Sequence, residues 1–361
     1  MGCSCNKNDM KLEQSNEMNE GRFETLGPTS NIKEEMKESN YVINNNENEI
    51  ENSNIRLRDA PPPIFKENEK DENISFKEDN YKNGNLFHEI STDKFNEEEY
   101  NELIKNYPKL EDGIKIEERG PRENKEDKAI YYGEWDINRN VRHGRGIQIM
   151  PDGSRYIGYW KNDKASGKGK LISPDGDIYE GDWLNDKPNG YGLYTQIDGT
   201  KYEGEWKDHK QNGKGKEIWP NGALYEGEFL DGKKNGKGKF IWSDGSIYEG
   251  NFENNYINGE GTYIFADKRQ YTGTWVNNRL NGKGIFIWPD GKKYEGEYKE
   301  DKKEGFGTFE WTNGRKYKGN WKKGKQDGEG EFYFPLEQTW KKGIWKKGKR
   351  IKWVENQSSF F

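Results

Sequence analysis

The sequence predicts an all-β protein, an elongated antiparallel β-meander of repeated hairpins, behind a long acidic leader that holds one short helix. Three observations carry this. A Tyr-x-Gly motif recurs every 23 residues from Tyr156 to Tyr317. All 13 Trp, and all but six of the 44 Gly, lie beyond residue 130. Charge divides at the same place: residues 1–130 hold 19 Lys+Arg against 31 Asp+Glu, and the remainder holds 40 against 34. Only 29% of the chain is hydrophobic and the mean hydropathy is -1.32, poor material for a large aliphatic core. Aromatics at 14% are too many for a chain without order. Order is therefore expected in the second part, built from rings and glycine.

The chain opens "MGCSCNK", and Cys3 and Cys5 are its only cysteines. No stretch has the roughly 18–20 apolar residues of a membrane span, and no 7–15-residue apolar core marks a secretory signal. A cytosolic setting keeps thiols reduced, which disfavours a disulfide. Two neighbouring cysteines cannot close a zinc site, and His88, His143 and His209 are scattered. Fatty acylation remains. Gly2 after Met1 is what N-myristoylation requires, and cysteines beside it are palmitoylation acceptors. One myristoyl chain binds membranes marginally, at about 10⁴ M⁻¹, whereas a second makes the anchor stable. The segment is similar to the "MGC" starts of Src-family kinases and G-protein α subunits, with Asn6 where those motifs prefer Ser or Thr. Gly2, Cys3 and Cys5 are the expected lipidation sites.

Residues 1–90 read as an acidic Asn/Glu-rich tether, with "APPPIF" at Ala60–Phe65 as a short extended segment. Residues 91–108 predict a short amphipathic helix. Phe95, Tyr100, Leu103, Ile104 and Tyr107 approximate one stripe, Asn96 and Glu99 have capping-box spacing, and Pro108 stops it. Its expected role is to cap the first strands, because open sheet edges invite aggregation.

From residue 109 to 353 the expectation is a β-ribbon of nine units starting at Tyr131, with a degenerate tenth. Eleven residues after each tyrosine from Tyr156 to Tyr317 comes Gly-x-Gly, as at Gly167/Gly169, Gly190/Gly192 and Gly213/Gly215. Twenty residues after it, Asp-Gly or Asn-Gly usually appears, for example Asp175-Gly176 and Asn221-Gly222. These dipeptides favour tight type I′ hairpins, since both central residues need positive φ. Each unit thus reads strand, five-to-seven-residue loop, strand, tight turn. Alternation puts Tyr179, Gly181 and Trp183 on one face, and likewise Tyr202, Gly204 and Trp206. Gly190 and Gly192 are expected to share a face, giving rings flat room over the backbone. On the other face Glu203 and Glu205 oppose Lys214 and Lys216, each pair contributing roughly 0.2–1 kcal/mol. About eighteen strands at ~4.8 Å spacing would run on the order of 85 Å.

"YEGEWKDHKQNGKGKEIWPNGALYEGEF" resembles the MORN repeat (membrane occupation and recognition nexus), and the resemblance runs from Tyr131 to Phe334 in nine successive units. It implies a β-hairpin solenoid. MORN arrays occur in junctophilins, plant phosphatidylinositol-phosphate kinases, radial spoke head proteins and protist cortical scaffolds, so the resemblance implies placement and assembly rather than a reaction.

The periodic Gly-x-Gly belongs to the repeat, and neither GxxxxGK[ST] nor a helix-opening GxGxxG occurs. No enzyme activity, metal or cofactor is expected, and no nucleic-acid partner. In the decayed last unit, "KKGIWKKGKRIKW", Lys341, Lys342, Lys346, Lys347, Lys349, Arg350 and Lys352 face little nearby acid in sequence and are candidates for acidic phospholipid, at about 1 kcal/mol each. A polar cap ending the sheet is the competing reading. The aromatic face is the expected surface for a protein partner, and two ribbons pairing as a homodimer stays open. Residues 354–361 form a tail. The reading reached is a non-enzymatic scaffold or adaptor, held by acyl chains on the cytosolic face of a plasma, cortical or ciliary membrane. Two alternatives stand beside it: a soluble ciliary or axonemal component, and a regulatory subunit acting in trans on a phosphoinositide kinase.

Overall fold

A computed structural model describes residues 97–354. The acylation motif, the tether and most of the tail lie outside these residues. Within them one helix, Glu97–Asn106, precedes 21 strands, and each strand pairs antiparallel with the next in sequence to form one open meander sheet. Three strands lie beyond the eighteen of the nine units. Ile116–Glu123 adds to the sheet before the first unit, and Thr339–Lys346 with Lys349–Trp353 build the degenerate tenth hairpin.

The two turn types stand in the reverse of the expected places. The tight two-residue turns directly follow the Tyr-x-Gly-x-aromatic strand, at Asn162-Asp163, Asn185-Asp186 and Asn277-Asn278, and all six residues have φ between 48° and 67°. These are the type I′ turns. Asn and Asp tolerate the left-handed region because their short polar side chains bond locally. The Asp-Gly dipeptides instead sit in three-residue loops. Ser173 N–H donates to the Asp177 carbonyl at 2.8 Å, Gly176 N–H donates to the Ser173 carbonyl at 3.0 Å, and Gly176 alone turns positive, at φ 93°. That is a type I turn closed by a glycine bulge, which needs one left-handed residue rather than two. The expected five-to-seven-residue loop is paired strand, with Trp183 opposite Pro188 and Leu184 opposite Lys187.

The longer strand of each hairpin gains its extra residues in a bulge. Gly181 faces Gly192, but Trp183 faces Pro188, so one residue opposes three. The bulge breaks the alternation. A Cβ on Gly192 would meet the Tyr179 ring, while one on Gly190, at φ 106°, would meet Asp182 on the opposite face. The two glycines therefore do not share a face; Gly213 and Gly215 divide in the same way between Glu205 and Tyr202. The backbone groups that the bulge frees are taken up by the following turn. Ala165 N–H donates to Asp186 Oδ1 at 2.7 Å, and Asp186 N–H returns a bond to the Ala165 carbonyl at 3.0 Å. Ile257 with Asn278 and Leu280 with Asp301 repeat the exchange, so each turn clamps the hairpin before it.

The helix covers a face, not an edge. In regular units the register Glu203–Lys216 and Glu226–Lys216 is charged, whereas the first units hold Tyr132, Ile147 and Ile157 at those places. Tyr100 and Leu103 of the helix pack there, with the Tyr100 and Tyr132 rings 4.3 Å apart. Tyr159 Oη donates to the Pro108 carbonyl at 2.6 Å, and buried His143 meets Asp112 at 2.7 Å, fixing the segment that leaves the helix. The edge itself is the strand Ile116–Glu123. It is mostly exposed and charged, and its pairing is interrupted at Gly120-Pro121, devices that blunt a sheet edge.

Candidate functional site on the aromatic face

The first ring row is core. Tyr131 and its eight successors to Tyr317 each donate from Oη to the backbone carbonyl three residues ahead, at 2.9–3.1 Å. That bond lays the ring over the second glycine of the next strand. The Tyr179 centroid is 5.2 Å from Trp183 of its own unit and 5.2 Å from Trp206 of the next, both edge to face. Trp183 and Trp206 donate from Nε1 to the carbonyls of Gly169 and Gly192, at 3.0 and 3.1 Å. Gly181 and Gly204 leave room beneath: a Cβ on either would lie 2.7 Å from the tyrosine hydroxyl. Burial pushes the phenols of Tyr179, Tyr202 and Tyr225 well up from their ordinary range. Trp345 closes the row against Tyr317 at 4.9 Å, although Lys341 stands at the tyrosine place of that unit.

A second ring row, which the sequence reading missed, covers only the later units. It runs through Trp219, Phe240, Trp242, Tyr263, Phe265, Phe286, Trp288, Phe309, Trp311, Phe332, Phe334 and Trp353, with successive centroids 4.4–5.8 Å apart. The signal is a Trp or Phe one residue before each three-residue loop; earlier units place Ser173 and Gln196 there. Trp219, Trp288 and Trp311 are half-buried and offer ring surface to a ligand; in the first row only Trp135 and Trp206 are in that state, both earlier in the chain. Two buried lysines stand among the rings. Lys234 ion-pairs with Glu217 at 2.6 Å. Lys303 has Phe309 at 4.5 Å and Tyr294 at 5.0 Å.

The opposite face is exposed and charged. Glu203 pairs in register with Lys216, while Glu205 turns its carboxylate to the Lys214 N–H that the bulge frees, at 3.0 Å. Exposed ion pairs such as Lys293–Glu295 are worth about 0–1 kcal/mol each.

The terminal basic segment is less free of acid than its sequence suggests. Lys341 meets Glu337 at 2.9 Å and Lys342 meets Glu331 at 3.8 Å. The guanidinium of Arg350 lies 4.2 Å from the Trp353 centroid. Lys346, Lys347, Lys349 and Lys352 are exposed, and among the described residues their ammonium groups meet no carboxylate, although the Lys347 backbone N–H donates to Asp327 Oδ2 at 3.0 Å. Lys349, Arg350 and Lys352 belong to the last strand, where such charge also guards a sheet edge. Gly2, Cys3 and Cys5 lie outside the described residues. Among the described residues no helix is long and apolar enough to cross a membrane, and no group of three or more His, Cys, Asp or Glu is placed to hold a metal ion.

A family model described as MORN repeat matches nine consecutive segments: residues 131–155, 156–178, 179–201, 202–224, 225–247, 248–268, 271–293, 294–314 and 317–335. Comparison with curated proteins finds no match. Among solved structures, the TCP domain of Drosophila melanogaster SAS-4 (dCPAP), in complex with a proline-rich motif of Ana2 (dSTIL), is similar at 18% identity and a TM-score of 0.25. That likeness covers 50% of this chain and 90% of that one. The TCP10 domain of Danio rerio CPAP is similar at 14% identity and 0.23, over 67% of this chain and 95% of that one. Virginiamycin B lyase from Staphylococcus aureus follows at 12% identity and 0.15, over 64% and 89%. Likenesses this shallow say nothing of partner or activity.

Proposed function

The chain belongs to the MORN-repeat family, and from that premise we propose that it is a non-enzymatic scaffold whose later units receive a protein partner on their aromatic face. Acyl chains on Gly2, Cys3 and Cys5 hold it on the cytosolic face of a membrane. The observation that supports partner binding is the second ring row: half-buried Trp219, Trp288 and Trp311 keep ring surface uncovered beyond Trp206, where the first row is closed by packing. Aromatic anchors of this kind dominate the energetics of protein interfaces. Lys346, Lys347, Lys349 and Lys352 add a salt-sensitive contact to acidic phospholipid once the acyl chains have brought the sheet close.

Subcellular fractionation of the full chain tests the anchor, with a C-terminal fluorescent tag and beside Gly2→Ala and Cys3→Ser/Cys5→Ser versions. The expected outcome is membrane-bound wild type and soluble variants; equal distribution of all three removes the acyl anchor. Partner profiles of wild type and a Trp288→Ala/Trp311→Ala version, taken by proximity labelling in the same cells, test the face. An unchanged profile removes the face as a partner surface.

A further inference from the structure

Lys234 and Lys303 occupy equivalent places on the aromatic face, and each is 7% exposed. Their neighbours in the intervening units are Ile257 and Leu280, so packing alone asks for no charge here. Lys234 Nζ lies 4.9 Å from the Trp219 centroid and 5.1 Å from Tyr225, and Glu217 answers its charge at 2.6 Å. The counterpart of Glu217 in the Lys303 unit is Phe286, which is fully buried. Lys303 therefore has the rings without the acid. Trp288, Tyr294, Phe309 and Trp321 surround its Nζ at 5.1, 5.0, 4.5 and 5.0 Å. No carboxylate stands within ion-pair distance of it among the described residues, and burial alone pushes the amine down to about 7. Ring faces attract an ammonium, but they are weaker than a counter-ion in a desolvated place.

We propose that Lys303 and its four rings form a receiving site for a Glu or Asp carboxylate of the protein partner. The inference rests on the aromatic face being the partner surface. The incoming carboxylate would give Lys303 the counter-ion that Glu217 gives Lys234, arriving from the partner's side because Phe286 fills the place of Glu217, and residues beside it would lie on the uncovered rings of Trp288 and Trp311. The Lys234–Glu217 pair is the reason to name a carboxylate rather than a phosphate: the same setting already holds a glutamate in this chain. An arriving carboxylate favours the charged amine, so association near neutral pH takes up a proton.

The test uses the full chain with isotope-labelled lysine, and follows the ε-methylene signals of Lys303 and Lys234 by NMR. Lys303→Met and Lys234→Met versions assign them. Propionate, the glutamate side chain in miniature, is titrated beside propionamide and inorganic phosphate. The expected result is a saturable shift of the Lys303 signal with propionate, and a rise in its titration midpoint. Propionamide should leave that signal alone, and the paired Lys234 should ignore both. No response to propionate overturns the proposal. An equal response to phosphate also overturns it, in favour of a general anion site open to lipid headgroups. These readings do not depend on any partner, so their failure is distinct from an unchanged labelling profile in the Trp288→Ala/Trp311→Ala version.

Discussion

Tyr202 lies over Gly215 so closely that one added carbon on the glycine would stand 2.5 Å from Tyr202 Cε2. The tyrosine is held from the other side by its bond to the Glu205 carbonyl at 2.9 Å, and so has nowhere to retreat. Gly215→Ala is therefore expected to lower stability by about 1–3 kcal/mol, the cost of overpacking a closed core. Gly120→Ala is the control, since nothing lies within 4 Å of its Cβ position and its φ is not positive. It should stay within about 0.5 kcal/mol of wild type. Denaturant unfolding of the two full-length variants decides it, and equal losses would remove the steric account of the repeat's second glycine.

Two hydroxyls separate bonding from burial in the same row. Tyr202 Oη has its carbonyl, whereas Tyr298 Oη is buried with no hydrogen-bond partner among the described residues. Tyr202→Phe should cost about 0.5–1.5 kcal/mol, the net worth of a made bond. Tyr298→Phe should be neutral or stabilising, because it removes an unsatisfied polar atom from the core. Melting temperatures of the pair check the contrast; a loss at Tyr298 matching that at Tyr202 would refute it.

Much of this was legible because the repeat uses residues with few conformational options. Tyr, Trp and Gly at period 23 could alternate only on a strand, and the ring row follows from that. Turn identity was not legible, because Asp175-Gly176 and Asn185-Asp186 both tolerate left-handed backbone and dipeptide chemistry does not say how many residues a loop contains. The bulge at Gly190 escaped for a related reason: strict alternation assumes equal strands, and the two strands of that hairpin differ by two residues. The second ring row escaped because Trp219, Trp242 and Trp288 lie outside the Tyr-x-Gly and Gly-x-Gly signatures that define the unit. They complete a face, and only the ladder register, which no single unit contains, brings one beside the next.

The Lys234–Glu217 pair gives a third expectation. Their side chains are only 9% and 15% exposed, so neither charge is well hydrated. Glu217→Gln strands the lysine and should cost about 3–5 kcal/mol. The double change Glu217→Phe/Lys234→Ile installs the residues that the next unit carries at Phe240 and Ile257, and should be neutral or stabilising. A double variant less stable than Glu217→Gln alone would show that the pair stabilises the sheet beyond its own neutrality. Denaturation midpoints of the three chains are the measurement.

The pH dependence of stability has two windows of opposite sign. Burial lowers the folded Lys303 amine from 10.5 to about 7, so between those values the unfolded chain binds more protons. The penalty of burying this charge is complete below pH 7 and is relieved as pH rises toward 10. Wild type should thus gain stability over Lys303→Met across that interval, and no acidic group in contact with Lys303 opposes the trend. The buried tyrosines act the other way. Tyr248, Tyr271, Tyr294 and Tyr317 are held neutral well above 10 by desolvation, while the unfolded chain ionises near 10. The stability they contribute is intact below pH 10 and falls as pH climbs beyond it. Unfolding monitored by tyrosinate absorbance should then be steep and cooperative above pH 10 in both chains. A wild-type advantage that does not grow between pH 7 and 10 would mean that Lys303 keeps its charge in the folded sheet at no cost, held by its four rings alone.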